Sequence, residues 1–186
     1  MKHKNGGIMK YLTKITLLII AVLFLTTPVY AEDVYVGIGG TYAYENFDAG
    51  VDYSNTEGLN LKAGYIINDN LAIELNYDYL QDFKYSGEII SATADVETLI
   101  LAVKISTGEK VKPYIVGGLG VMRGELTAST GQSESETDMC AKSGVGVDYF
   151  VTDDVSVGIE GAYVWGFNDL EGVEYTQIIC GVSYHF

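Results

Sequence analysis

From Val34 to the last residue, apolar and polar positions alternate with period two through eight successive segments, with no helical periodicity between them. Strand one, Val34 to Tyr44, sets Val34, Val36, Ile38, Tyr42 and Tyr44 against Gly37, Gly39 and Thr41. Strand two, Gly58 to Ile67, opposes Leu59, Leu61, Ala63, Tyr65 and Ile67 to Asn60, Lys62 and Gly64. Strand three, Leu71 to Leu80, opposes Leu71, Ile73, Leu75, Tyr77 and Tyr79 to Glu74, Asn76 and Asp78. Strand four, Val96 to Ser106, carries Leu99, Leu101, Val103 and Ile105 opposite Thr98, Ala102 and Lys104. Strand five, Pro113 to Leu126, is rich in glycine and its faces stay unassigned. Strand six ends in Val145, Val147, Tyr149 and Val151 against Gly144, Gly146 and Asp148. Strand seven, Val155 to Phe167, sets Val155, Val157, Ile159, Tyr163, Trp165 and Phe167 against Ser156, Gly158 and Glu160. Strand eight, closing the chain, sets Ile178, Cys180, Val182 and Tyr184 against Gln177, Gly181, Ser183 and His185.

The connections alternate in length. Residues 68–70, 107–112 and 152–154 are short turns rich in Asn, Asp or Gly, whereas 45–57, 81–95, 127–138 and 168–173 are longer and polar. A meander places all short turns at one end and all long loops at the other. That asymmetry, an even strand count and strands of about 10 residues suit a membrane-spanning barrel. The expected fold is all-β, an eight-stranded antiparallel up-and-down transmembrane β-barrel.

Alternation alone leaves open whether the apolar face points in or out. A soluble lipocalin-like barrel would bury it, but an eight-stranded barrel is only just wide enough to be filled by side chains. About five large apolar side chains per strand overfill it. Reversed, the tube receives Gly37, Gly39, Gly64, Gly144, Gly146, Gly158 and Gly181 with some long charged groups, and that volume fits. The apolar face as assigned holds no Asp, Glu, Lys or Arg, and its tyrosines and Trp165 gather towards strand ends, where an interfacial girdle belongs.

The N-terminus adds a compartment. Lys2, Lys4, Lys10 and Lys14 precede an apolar run from Ile15 to Leu25, and small residues lead to Ala31. This is the order of a secretory signal peptide, and the run falls short of the roughly 20 residues of a membrane anchor. Cleavage after Ala31 is expected, with Met1 or Met9 as the start, giving a leader of residues 1–31 and a barrel domain of 32–186. Removing the leader leaves 7 basic against 25 acidic residues, a net charge of −18, which argues against nucleic acid. Cys140 and Cys180 fall on strands six and eight, which are not neighbours, and at different heights, so a disulfide has poor geometry. Without histidine partners they make no zinc site.

Three stretches carry a family likeness: Asn70 to Tyr77 (NLAIELNY), Lys112 to Gly120 (KPYIVGGLG) and the closing Tyr184-His185-Phe186. The chain resembles the small outer-membrane β-barrel superfamily, with its opacity-type surface proteins and outer-membrane protein A-type barrels. The resemblance implies an outer-membrane protein of a Gram-negative bacterium, with Tyr184 and Phe186 forming the terminal signal read by the barrel-assembly machinery. One departure is expected: no peptidoglycan-binding domain after the barrel.

The face assignment sends Lys62, Glu74, Asp78, Lys104, Lys142, Asp148, Glu160 and His185 into the lumen. Charges in a dry interior must pair, so a salt-bridged plug is the expected arrangement, with a narrow polar pore as the alternative. Catalysis has no visible machinery. A lipid A deacylase of similar fold needs His and Ser together on the lipid-facing wall, whereas His185 faces inward and no serine–base pair is apparent. The loops are acidic, at Glu45, Asp48, Asp52 and Glu57, at Glu134, Glu136 and Asp138, and at Asp169 and Glu171. Asp48 to Asp52 lacks the dense spacing of an EF-hand loop. The expected protein is a non-enzymatic monomer without cofactor or metal. Its partners are outer-membrane lipids, lipopolysaccharide, the assembly machinery and, at the loops, a host or surface ligand. An adhesin-like surface antigen or a small porin is the alternative.

Overall fold

Eight strands run in chain order and close on themselves: β1 (Val34–Glu45), β2 (Thr56–Asn68), β3 (Leu71–Ser86), β4 (Ser91–Ser106), β5 (Val111–Ala128), β6 (Ser133–Phe150), β7 (Val155–Gly166) and β8 (Glu174–His185). Each pairs antiparallel with its neighbours, and β1 closes the barrel by pairing with β8 from Tyr35↔His185 to Glu45↔Tyr175. This computed structural model describes residues 33–45, 54–86, 91–128, 133–170 and 172–186. The expected leader, residues 1–31, lies outside them. No helix among the described residues is long and apolar enough to cross a membrane.

The alternation predicted for seven strands is the one observed. Ile38, Leu101 and Val145 are about 60% exposed (58%, 60% and 62%), whereas the intervening Glu74, Lys142 and Glu160 are buried. A wall of bare aliphatic side chains around buried charges inverts a soluble protein and suits hydrocarbon outside. Aromatic side chains gather at both ends of that wall. At the short-turn end are Tyr65, Tyr149 and the edge-to-face pair Tyr184–Phe186, with ring centroids 5.0 Å apart. At the other end are Tyr42–Tyr44, Tyr163–Trp165 and Phe167. The faces of β5 now resolve: Tyr114, Val116 and Met122 turn inward, Ile115, Leu119 and Val121 outward. Apolar residues and glycines occupy both faces, so this strand shows no period in sequence.

Two of the expected loops are largely strand. β3 continues to Ser86 and β4 starts at Ser91, with pairs from Phe83↔Ala94 to Ser86↔Ser91, and β6 starts at Ser133. The alternation of β3 was hidden by a bulge. Between Leu80↔Val96 and Phe83↔Ala94 the register shifts, so Leu80 and Phe83 both turn inward although they lie three apart. Beyond the rim, water meets both faces and the hydrophobic signal fades. The loop after β7 also carries a short 3-10 turn, Asn168–Leu170.

The interior is less polar than expected. Towards the long-loop end it holds Leu80, Phe83, Val96, Ile100, Met122, Val164, Leu170 and Tyr175, all buried in one apolar cluster. The glycine-and-ion-pair filling thus describes only the lower part of the tube. There, two tyrosines fill space that two glycines leave. A Cβ on Gly64 would collide with the Tyr35 ring, and one on Gly146 with the Tyr114 ring. The Tyr35 ring cannot retreat, being stacked 4.9 Å from His185 and hydrogen-bonded through its hydroxyl to Glu74. Gly64→Ala is therefore expected to lose about 1–3 kcal/mol by overpacking, seen as a lower urea midpoint for the protein refolded into lipid vesicles.

Candidate functional site: the plugged lumen and the acidic rim

Inward positions of six strands bring the lumen side chains together. On β3, β4 and β6, alternation aims Glu74, Lys104 and Asp148 at one level. Lys104 Nζ lies 2.6 Å from Asp148 Oδ2 and 3.3 Å from Glu74 Oε1. The ammonium also sits 3.9 Å from the centroid of the Tyr114 ring, a cation–π contact. Glu74 accepts further hydrogen bonds from Tyr35 Oη and from Asn76 Nδ2 at 3.3 Å. Both Glu74 oxygens and the Lys104 ammonium thus have a hydrogen-bond partner or an opposite charge.

One level further in, Lys142 Nζ meets Glu160 Oε1 at 2.7 Å. The contact lies off the hydrogen-bond axis, so neither atom counts a well-formed hydrogen bond. It is an ion pair held by charge, while Glu160 Oε2 accepts the Tyr114 hydroxyl at 3.0 Å. Asp78 differs from expectation. No ion pair reaches it among the described residues. Instead it accepts from Asn60 Nδ2 at 2.8 Å, Thr98 Oγ1 at 3.3 Å and, at the limit of a hydrogen bond, Gln177 Nε2 at 3.5 Å. Neutral donors take the place of a cation there. Lys62 makes no ion pair within 4 Å among the described residues. It lines a cavity of about 10 Å³ together with Tyr114, Asp148 and Glu160, room for about one water.

His185 faces inward as predicted, between the rings of Tyr35 and Phe150 at centroid distances of 4.9 and 4.8 Å. Its Nε2 lies 3.0 Å from Ser156 Oγ. That corrects the reading that no serine–base pair exists. The two residues are 29 apart in sequence and meet only because β7 and β8 are neighbours, with Ser156↔Ser183 in register. Ser156 is only 1% exposed, and its hydroxyl is a buried hydrogen-bond partner of the His185 ring. Lys104, Lys112, Asp148 and His185 line a shallow pocket of about 50 Å³ at the short-turn end. Among the described residues no group of three or more His, Cys, Asp or Glu side chains is placed to hold a metal ion.

Cys140 is buried in the lumen and Cys180 exposed on the outer wall, both as free thiols. They sit on opposite faces of the sheet, a stronger bar to a disulfide than the difference in height. Tyr184 and Phe186 are exposed on the outer wall at the end of the closing strand. Of the acidic loop residues, Glu57, Glu134 and Glu136 are exposed and on strand. Asp48 and Asp52, and the side chains of Glu45, Asp169 and Glu171, lie outside the described residues. A patch missed in sequence lies on the outer wall near the rim. Arg123 Nη2 is 3.0 Å from Glu125 Oε2 and Nη1 is 4.0 Å from Glu97 Oε2, with Tyr79 and Asp95 alongside. Outward charges at this height belong to the level of headgroups rather than acyl chains.

Known proteins share this fold. The family model described as "outer membrane protein beta-barrel domain" matches residues 16–186. Outer membrane protein A of Serratia marcescens is 28% identical over 148 residues, 74% of this chain and 41% of that protein. Outer membrane porin F of Pseudomonas fluorescens is 27% identical over 124 residues, 60% of this chain and 38% of that protein. The chain thus spans about two fifths of the length of these relatives. Among solved structures, Neisserial surface protein A superposes with a TM-score of 0.70 at 20% identity, covering 82% of this chain and 97% of that one. Ail of Yersinia pestis, solved with the heparin analogue sucrose octasulfate, gives 0.62 at 19% identity, covering 83% and 98%. At such identities the two structures speak for the fold. With the family model spanning nearly the whole sequence, the chain belongs to the outer membrane protein β-barrel domain family, and its place is the bacterial outer membrane.

Proposed function

We propose that this protein is a non-enzymatic barrel with a closed lumen, which supports the envelope and meets other molecules through its acidic outer rim. In this reading residues 1–31 are a cleaved signal peptide, and Tyr184 and Phe186 are the signal for the assembly machinery. The long loops face outward from the cell, as is usual for outer-membrane barrels, whose periplasmic turns are short. Lipids and lipopolysaccharide surround a monomer.

One observation carries the closed lumen. The Glu74–Lys104–Asp148 cluster, drawn from β3, β4 and β6, and the Lys142–Glu160 pair of the neighbouring strands β6 and β7 fill the tube beneath an apolar cluster that contains Phe83, Met122 and Tyr175. An ion would have to part buried charges and then cross a greasy constriction. A relative bearing the word porin in its name keeps the pore reading in view, but nothing on the inner wall favours it. The acidic rim also points away from polyanions such as the ligand of Ail, and towards cationic partners. The purified protein in planar bilayers is expected to give no steady current, and replacing the loops at 45–57 and 127–138 by short turns to abolish binding to cells or ligands. Sustained single-channel currents, or binding indifferent to the loops, would refute the respective half.

A further inference from the structure

The barrel rim is uneven, and its unevenness leaves one strand edge open. The β5–β6 ladder runs up to Thr127↔Ser133, whereas the β6–β7 ladder begins only at Cys140↔Gly166. Ser133–Thr137 is thus hydrogen-bonded on one side alone among the described residues, and all five residues are exposed. The orientation of that edge follows from one contact. Phe167 N–H donates to the Met139 carbonyl at 3.0 Å, so the backbone of Met139 faces β7. The β5–β6 register has no shift, so backbone groups of Thr137, Ser135 and Ser133 face the same open side. Asn168 Nδ2, bonded to Asp138 Oδ1 at 3.1 Å, marks where the loop after β7 closes the edge.

An exposed edge invites another strand, and natural proteins guard such edges with charge. Here the charge is of one sign: Glu134 and Glu136 stand on one face of the strand, Ser133, Ser135 and Thr137 on the other. A second copy of this chain would set glutamate beside glutamate, since like charges across strands repel. A chain carrying lysine or arginine at alternate positions meets no such obstacle. We propose that the Ser133–Thr137 edge of β6 captures an extended basic peptide as an added strand, with its alternate cationic side chains beside Glu134 and Glu136. This deepens the surface-interaction reading and rests on it. The occupant is a protein segment, recognised by backbone pairing plus alternating charge.

The test uses the full protein in lipid nanodiscs and two capped hexapeptides of equal charge, one alternating (Lys-Thr-Lys-Thr-Lys-Thr) and one blocked (Lys-Lys-Lys-Thr-Thr-Thr). The alternating peptide is expected to bind at least about tenfold more tightly and to slow amide exchange at Ser133, Ser135 and Thr137. Ser135→Pro removes an edge N–H without touching charge or the β5 ladder, and should lose about tenfold, as should Glu134→Gln with Glu136→Gln. A peptide N-methylated on the amides that face β6 makes the same point on unaltered protein. Equal binding of both peptides, or full affinity after both backbone blocks, would reduce the contact to diffuse charge attraction and overturn the proposal. Cell binding that needs the loops yet survives Ser135→Pro would overturn the edge while leaving the surface-interaction reading in place.

Discussion

Lys142→Met is expected to cost about 3–5 kcal/mol of folding stability, because it leaves the Glu160 carboxylate buried without its cation. Both side chains are essentially inaccessible, 0% and 2% exposed, and the contact is 2.7 Å. Glu160→Gln alone should lose a comparable amount by stranding the ammonium. The double variant should recover most of either loss, since removing a buried pair together costs far less than removing one partner. Glutamine at 160 still offers an oxygen to the Tyr114 hydroxyl, so packing changes little. Urea unfolding in lipid vesicles gives the three free energies and hence the coupling between the sites. The result also decides between plug and pore. Singles that cost under about 1 kcal/mol, the range of exposed pairs, would mean that water already reaches Glu160 and that the lumen is wet.

The barrel itself was legible because lipid outside and charge inside write the strongest period-two signal a strand can carry. Leu101, Val103 and Ile105 alternate with Ala102 and Lys104 without interruption. That signal weakens where its cause does. On β5 both faces meet apolar surroundings, lipid at Leu119 and the inner plug at Met122, and the period disappears. On β3 the bulge between Leu80 and Phe83 switches phase, so a continuing strand reads as a loop. The apolar plug was accessible to the same argument. Ile100 and Val164 occupy inward positions by simple counting, in phase with Thr98 on β4 and Glu160 on β7. Pairings within the lumen were another matter. Which of Glu74, Asp78, Asp148 and Glu160 takes which lysine depends on register around the barrel, and sequence alternation gives the face of a residue but not its height. Ser156 beside His185 is hidden for the same reason.

Adjacent residues on β4 offer the sharpest contrast between the two surroundings. Leu101 is 60% exposed and Ile100 fully buried, and they point to opposite faces of one wall. Leu101 lies amid apolar neighbours, opposite Leu75 on β3 and Leu119 on β5, well inside the aliphatic band. Leu101→Arg is expected to cost about 2–4 kcal/mol in vesicles, the depth-dependent penalty of a basic side chain in hydrocarbon near the midplane. At a water-exposed position the same change would usually stay within about 0.5 kcal/mol. Ile100→Ala should cost about 2–5 kcal/mol for a different reason, the cavity left in the plug. The two losses therefore have separate physical origins, and the first depends on the solvent outside. A cheap Leu101→Arg beside an expensive Ile100→Ala would put water, not lipid, against the wall. A costly one requires that this ring of leucine, isoleucine and valine be immersed in acyl chains.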